Sequence, residues 1–245
     1  MKKIFYDQSI NLNDNIIIKD EEHHHLANVL RSKIGDSFVI GDSNGMEFVG
    51  SIIKITKNET IINIEKFFNR IPRLKNINLF FSILKGDKNE EIIKKCTEIG
   101  VDNFYPVITK NCMVKINPEE SFNKINRWRI IAKESSMQAL REKIPYVNKI
   151  ILFEDLNKYA IKGAKFFGDI KSKKGLYNYI KRNPINEDNI YLFIGPEGDF
   201  TDYERDFLYN TGWLGFNLSN YILRSETAAI TFCSNIMMFI GGDYD

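Results

Sequence analysis

The sequence predicts an α/β protein in which a small N-terminal β-barrel precedes a larger domain built on a mainly parallel sheet. Three observations carry this. Residues 1–70 hold short runs rich in Ile, Val and Phe, split by Gly, Asp and Asn turns. From Ile77 onward, strand-like and helix-like segments alternate, as a parallel sheet with crossover helices requires. Between the two textures, "NRIPRLK" sets Pro72 among basic residues and reads as a linker. The domains are therefore expected at 1–70 and 76–245.

In the first domain the strands are "NIIIKD", "SFVIGD", "MEFVGSIIKIT" and "TIINIEKFF". One helix, "EEHHHLANVLRSKIG", interrupts them and is expected to end at Gly35. The second domain opens with the apolar strand "INLFFSIL". In "GDKNEEIIKKCTEIG", Asp87 and Glu90 have capping-box spacing, Ile92, Ile93, Cys96 and Ile99 share one face, and Gly100 ends the helix. "VDNFYPVI" is the next strand. Asn117 and Pro118 then open a long helix to about Arg141, with Phe122, Ile125, Trp128, Ala132 and Ser135 as its apolar stripe. "AKFFGDI", a lysine-rich helix to Arg182, "NIYLFIG", "TDYERDFLYN", "WLGFNLS" and a last helix from Ser225 complete the chain. That last helix is apolar nearly all round and is expected to be buried, in part against a second subunit.

Composition bounds the function. A chain of 245 residues with 43% hydrophobic residues can bury a sizeable core. No apolar run reaches membrane-spanning length, and "MKKIFYDQSI" lacks the apolar stretch of a secretory signal. Cys96, Cys112 and Cys233 are odd in number and far apart, so neither a disulfide framework nor a zinc site is suggested. A reduced, cytoplasmic protein is expected. Charge is uneven: Lys110–Arg182 holds 17 Lys/Arg against 7 Asp/Glu, whereas residues 183–245 hold 2 against 10. A basic middle of this kind suits an anionic macromolecule.

His23, His24 and His25 are the only histidines. Neighbouring helical positions point about 100° apart, so the three cannot converge on one metal from one helix. Their location also leaves the second domain without a histidine, which excludes a Ser-His-Asp or Cys-His site within it. Two other stretches stand out. "FIGPEGDF" is a strand running into a Gly-Pro-Glu-Gly turn, at the sheet edge where α/β proteins bind ligands. It is neither G-x-G-x-x-G nor a phosphate loop, and Glu197 repels phosphate but suits a cation. In "LGFNLSNYILRSETAAITF", Arg224 precedes an N-cap Ser225, and Glu226 lies in the first helical turn. On the long helix Glu134, Gln138 and Arg141 are spaced to share one face.

Together "FIGPEGDFTDYE" and "LSNYILRSETA" resemble the RsmE family of 16S ribosomal RNA uridine-N3 methyltransferases, in the SPOUT superfamily. The resemblance covers the whole chain. "HHLANVLRSKIGD" looks like the family's PUA-like RNA-binding domain, and "KKCTEIGVDNFYPV" and "QALREKIP" look like early catalytic-domain segments. It implies a deep trefoil knot whose loops hold S-adenosylmethionine through Phe167, Gly168, Gly195, Pro196, Glu197, Gly198, Leu218, Ser219, Ile222 and Leu223. It implies 16S ribosomal RNA of the small subunit as partner, with Arg31, Lys115, Gln138 and Arg141 as RNA contacts. It further implies a homodimer in which both subunits build each RNA site; from the placement of the histidines and cysteines, no metal is expected. With no histidine in the domain, the base for uracil N3 is a carboxylate or water, Glu226 before Glu197. Arg224 would stabilise charge on the uracil oxygens, and Arg141 would orient base or phosphate. The chain departs from the family pattern at Asn111, Asp199, Ser219 and Tyr221. Two alternatives stand beside this reading: methylation of another nucleotide, such as a transfer RNA ribose, or RNA binding without catalysis.

Overall fold

The computed structural model describes residues 2–69, 73, 75–113, 118–159 and 161–240. Pro72, Lys115 and Asn117, singled out above, lie outside the described residues. Contacts divide the chain into two compact units, 1–72 with 136–143, and 73–135 with 144–245.

The first unit comprises β1 (Lys2–Phe5), β2 (Asn15–Ile18), α1 (Asp20–His24), a π-helical turn (His25–Val29), β3 (Ser37–Gly41), β4 (Glu47–Ile55) and β5 (Thr60–Phe67). The sheet order is β1-β3-β4-β5-β2, antiparallel except for β1 with β3, and register shifts in β4 bend it. β1 and β2 are its two edges, so the expected barrel is a half-barrel. Ile4, Leu26, Phe38, Ile40, Phe48, Ile52, Ile62 and Ile64 form its core.

The helix expected to reach Gly35 stops at Val29. The Leu30 N–H bonds the His25 carbonyl, five residues back, and the Ser32 N–H bonds that of Leu26. Arg31, at φ +49°, takes the left-handed position that ends the helix, four residues before the glycine. His23 is buried against Thr60 Oγ1 (2.9 Å) and the Lys57 carbonyl (3.1 Å), while His24 Nδ1 meets Asn28.

Residues 136–143 join this unit for a specific reason. Lys3, fully buried, donates from Nζ to the Glu47 carboxylate and to the Arg141 carbonyl. Met137 packs on the half-barrel core.

The second unit contains β6 (Asn76–Ser82), α2 (Lys88–Ile99), β7 (Asn103–Ile108), α3 (Pro118–Gln138, whose end belongs to the first unit), β8 (Tyr146–Val147) and β9 (Ile151–Leu152). A 3-10 turn (Phe153–Lys158), β10 (Ala164–Gly168), α4 (Leu176–Arg182), β11 (Asn189–Ile194), α5 (Asp202–Asn210), β12 (Leu214–Phe216) and α6 (Ser225–Ile240) follow. Every strand pairing is parallel, in the order β12-β10-β11-β6-β7-β8, with β9 also on β7. All carboxyl ends therefore share one edge. Strand side chains alternate between two cores. Leu79, Phe81, Leu192 and Ile194 pack with α2, α3 and α6, and Phe80 and Phe193 pack with Phe167, Phe200 and Trp213.

Four local expectations are corrected. Asp87 is the N-cap of α2 but makes no side-chain cap bond, because its backbone (φ −85°, ψ 2°) is not extended and Arg127 takes the Glu90 carboxylate at 2.6 Å. The capping box forms instead at Thr201–Glu204 on α5. Phe122 is 65% exposed, whereas Ile125, Trp128, Ala132 and Ser135 are buried as the stripe requires. The long helix ends at Gln138. Leu140, at φ +53°, turns the chain and the Arg141 N–H returns to the Ser136 carbonyl at 2.9 Å, so Arg141 lies beyond the helix face expected to hold it. The carbonyl of Arg224, not of Ser225, accepts the first bond of α6, from the Ala228 N–H at 2.8 Å. Among the described residues no helix is long and apolar enough to cross a membrane.

Candidate active site

Neighbouring strands in a parallel sheet end side by side, and here the ends of β12, β10 and β11 adjoin. The loops that leave them, 168–170, 194–199 and 216–225, enclose a cavity of about 270 Å³. The chain needs small residues to bring these loops together. A Cβ on Gly168 would come within 2.9 Å of Ile194 Cδ1, and one on Gly195 within 3.1 Å of the Phe200 ring. The aromatic cluster of Phe167, Phe193, Phe200 and Trp213 backs the loops, and each such ring contributes roughly 1.5–3 kcal/mol through burial.

The lining is mixed. Ile194, Leu218, Ile222, Leu223 and Ala228 supply apolar surface, and Asp169, Glu197 and Asp199 supply acid. Such a lining suits a flat, partly apolar ligand with positive charge, at the small end of the roughly 300–1,000 Å³ typical of ligand sites. Glu197 is paired with Lys88 at 3.0 Å. Burial pushes its carboxyl up, but the hydrogen bond from Lys88 and backbone donors outweigh that, so its pKa lies below the usual value. Arg224 lines the cavity, is exposed, and makes neither an ion pair nor a side-chain hydrogen bond among the described residues. Glu226, one residue past the lining Ser225, is 7% exposed, and its Oε2 has no hydrogen-bond partner among the described residues. Tyr209 donates to Asp169 Oδ2 at 2.7 Å; burial first, and then Asp169, push its pKa up to about 12, so it remains a donor throughout the physiological range. Among the described residues no cluster of three or more His, Cys, Asp or Glu is placed to hold a metal.

A family model described as an RNA methyltransferase domain matches residues 72–237, and one described as an RNA methyltransferase PUA domain matches 18–65. The chain is 32% identical to "Ribosomal RNA small subunit methyltransferase E" of Mesomycoplasma hyopneumoniae, over 80% of this chain and 82% of the relative. The chain belongs to the ribosomal RNA small subunit methyltransferase E family. The Bacillus subtilis member is 27% identical over 89% of this chain and 88% of its own. A Legionella pneumophila protein solved in complex with the bound cofactor SAM superposes with a TM-score of 0.85 at 27% identity, over 96% of each chain. The fold is thus a PUA domain followed by a methyltransferase domain.

Within this methyltransferase-family chain, the cavity brings together Gly168, Gly195, Pro196, Glu197, Leu218, Ser219, Ile222, Leu223 and Arg224 of the residues singled out from sequence. Phe167 lies behind it, fully buried in the aromatic cluster. Gly198 is on the outer side of its loop, against the Asn111 side chain. Arg31, exposed, and Gln138 and Arg141 belong to the first unit. Sequence reasoning missed Asp169, Asp199 and Asn217 as lining residues and Arg205 behind them. One signal was available: a Gly-Asp pair follows both β10 and the Gly-Pro-Glu turn, at 168–169 and 198–199.

Proposed function

We propose that this protein transfers the methyl group of S-adenosylmethionine to N3 of a uridine in 16S ribosomal RNA. One observation carries the reading: a cavity with apolar and acidic walls at the carboxyl edge of the sheet, rimmed by an arginine that has no partner among the described residues. When bound, the cofactor supplies a methyl group on a cationic sulfur. The residues present fit that group: Leu218, Leu223 and Ala228 can pack a flat base, and the carboxylates of Asp169 and Asp199, paired with Arg205, and of Glu197, paired with Lys88, offer acceptors without a net charge that would repel a cation. Glu226 Oε2, without a hydrogen-bond partner among the described residues, leaves a buried acceptor for the N3 proton. Glu197 is held ionised by Lys88. Arg224 stabilises negative charge on the uracil oxygens. Arg31, Lys115, Gln138 and Arg141 contact or orient the RNA. The return of α6 from edge strand β12 to pack on β11, β6 and α2 supports a knotted route for the loop between.

Deleting the gene and mapping modified nucleotides in ribosomal RNA tests the reaction. Loss of one N3-methyluridine from the 16S molecule is expected. A lost ribose methyl group, or an unchanged small-subunit RNA with a changed transfer RNA, would overturn the assignment.

The protein works as a homodimer on this reading. Met238 is 79% exposed on α6, and Tyr177 (61% exposed) lies against Phe239 with the rings tilted by 45°, at 5.8 Å between centroids. Apolar exposure of this kind marks an interface. Sedimentation at micromolar concentration should show a dimer, and a monomer would exclude it.

A further inference from the structure

Arg205 holds two walls of the cavity at once. It projects from α5 and is 6% exposed. Its Nε donates to Asp169 Oδ1 at 3.0 Å, its Nη2 to Asp199 Oδ2 at 2.7 Å and its Nη1 to the Phe200 carbonyl at 3.1 Å. Asp169 follows β10 and Asp199 sits in the loop after β11, so a single planar fork spans two strand ends. Asp169 is also held by the Tyr209 hydroxyl and, at 3.0 Å, by the Lys171 N–H.

The second wall is under strain. Asp199 has φ +60°, a left-handed conformation that a non-glycine residue keeps only when its surroundings enforce it. From the other side Asn111 Nδ2 donates to the carbonyls of Gly198 (3.1 Å) and Asp199 (2.9 Å). The loop is therefore gripped from both faces at its one strained residue.

We propose that Arg205 is a positioning residue that locks the Gly195–Asp199 loop against the end of β10 and so sets the width of the donor cavity before any ligand arrives. The inference rests on reading the cavity as the S-adenosylmethionine site; the lock itself does not depend on that reading. Without the lock, Asp199 relaxes and the cavity samples several widths. Binding must then select the competent one, which raises the apparent Kd by the inverse of its population. Turnover with donor saturating is spared, because Arg205 touches no reacting atom.

Three variants test this by calorimetry, kinetics and amide hydrogen exchange on the full chain. Arg205→Met should weaken S-adenosylmethionine binding by about tenfold, as for a competent state populated about one time in ten. Its kcat at saturating donor should stay within about threefold of wild type, and exchange should quicken at 195–199. Arg205→Lys should not restore affinity, because an ammonium cannot span two carboxylates. In Arg205→Met/Asp199→Gly, glycine adopts the positive φ without strain, so exchange at 195–199 should slow again and donor affinity should recover in part, short of wild type because a lining carboxylate is gone. If Arg205→Met does not fold, Asn111→Ala loosens the same loop without stranding a buried charge and should weaken donor binding in the same sense. Wild-type donor affinity in folded Arg205→Met, or in Asn111→Ala where Arg205→Met does not fold, would overturn the proposal. So would a fall in thermal stability that Asp199→Gly leaves unrescued while the folded fraction binds normally. If the wild-type protein itself binds no S-adenosylmethionine, the cofactor reading fails. The lock then stands or falls on hydrogen exchange of the ligand-free loop.

Discussion

Arg224→Ala is expected to lower methyl transfer by about a hundredfold or more, the scale of losing one preorganised charge donor. The structure removes the simplest alternative. An arginine that only braced the loop would pair with Glu197 or Glu226, yet Glu197 is taken by Lys88 and the Arg224 guanidinium has no partner among the described residues. Its truncation strands no buried acid, so melting temperature and donor affinity should stay near wild type. Arg224→Lys should recover only part of the rate, because an ammonium does not reproduce the planar fork. Single-turnover transfer to small-subunit RNA, with donor saturating, is the measurement. Near-normal transfer by a well-folded Arg224→Ala protein would refute the role, and so would a parallel loss of stability and donor binding.

Glu226→Gln separates a working carboxylate from a tolerated one. Glu226 is 7% exposed in the first turn of α6, and its Oε2 lacks a hydrogen-bond partner among the described residues. A buried polar group left unsatisfied costs about 1–3 kcal/mol, so the site is not arranged for stability. As the acceptor of the N3 proton it contributes on the order of 10²–10⁴ in rate. Glu226→Gln should therefore lose about that factor while its melting temperature holds or rises. Unchanged transfer would hand the proton to water.

Much of the second domain was legible because its signals are local. Strand runs such as "INLFFSIL" and "NIYLFIG", and the helix from Lys88 to Gly100, are set by neighbours in sequence and reappear as β6, β11 and α2. Gly-Pro-Glu-Gly at a strand end marked one wall of the cavity for the same reason, and the segment before Ser225 marked another. Where a local rule failed, a distant side chain had taken the group it needed. Glu90 had capping spacing, but Arg127 claimed its carboxylate. The helix through His23 had no visible stop before Gly35, yet Arg31 accepted a left-handed backbone.

By itself the sequence determined the alternation that makes a parallel sheet, the absence of histidine from the second domain, and the strand-end turns that border a ligand site. These follow from periodicity, composition and turn chemistry, which need no knowledge of what folds against what. Tertiary structure alone decided which charges meet. Lys88 reaches Glu197 across 109 residues, Arg205 joins Asp169 to Asp199, and buried Lys3 holds the carbonyl of Arg141, which no periodic pattern assigns to the half-barrel. Among the described residues Arg224 has no partner, because Glu197 is claimed by Lys88 and Glu226 is buried, and only packing makes that allocation.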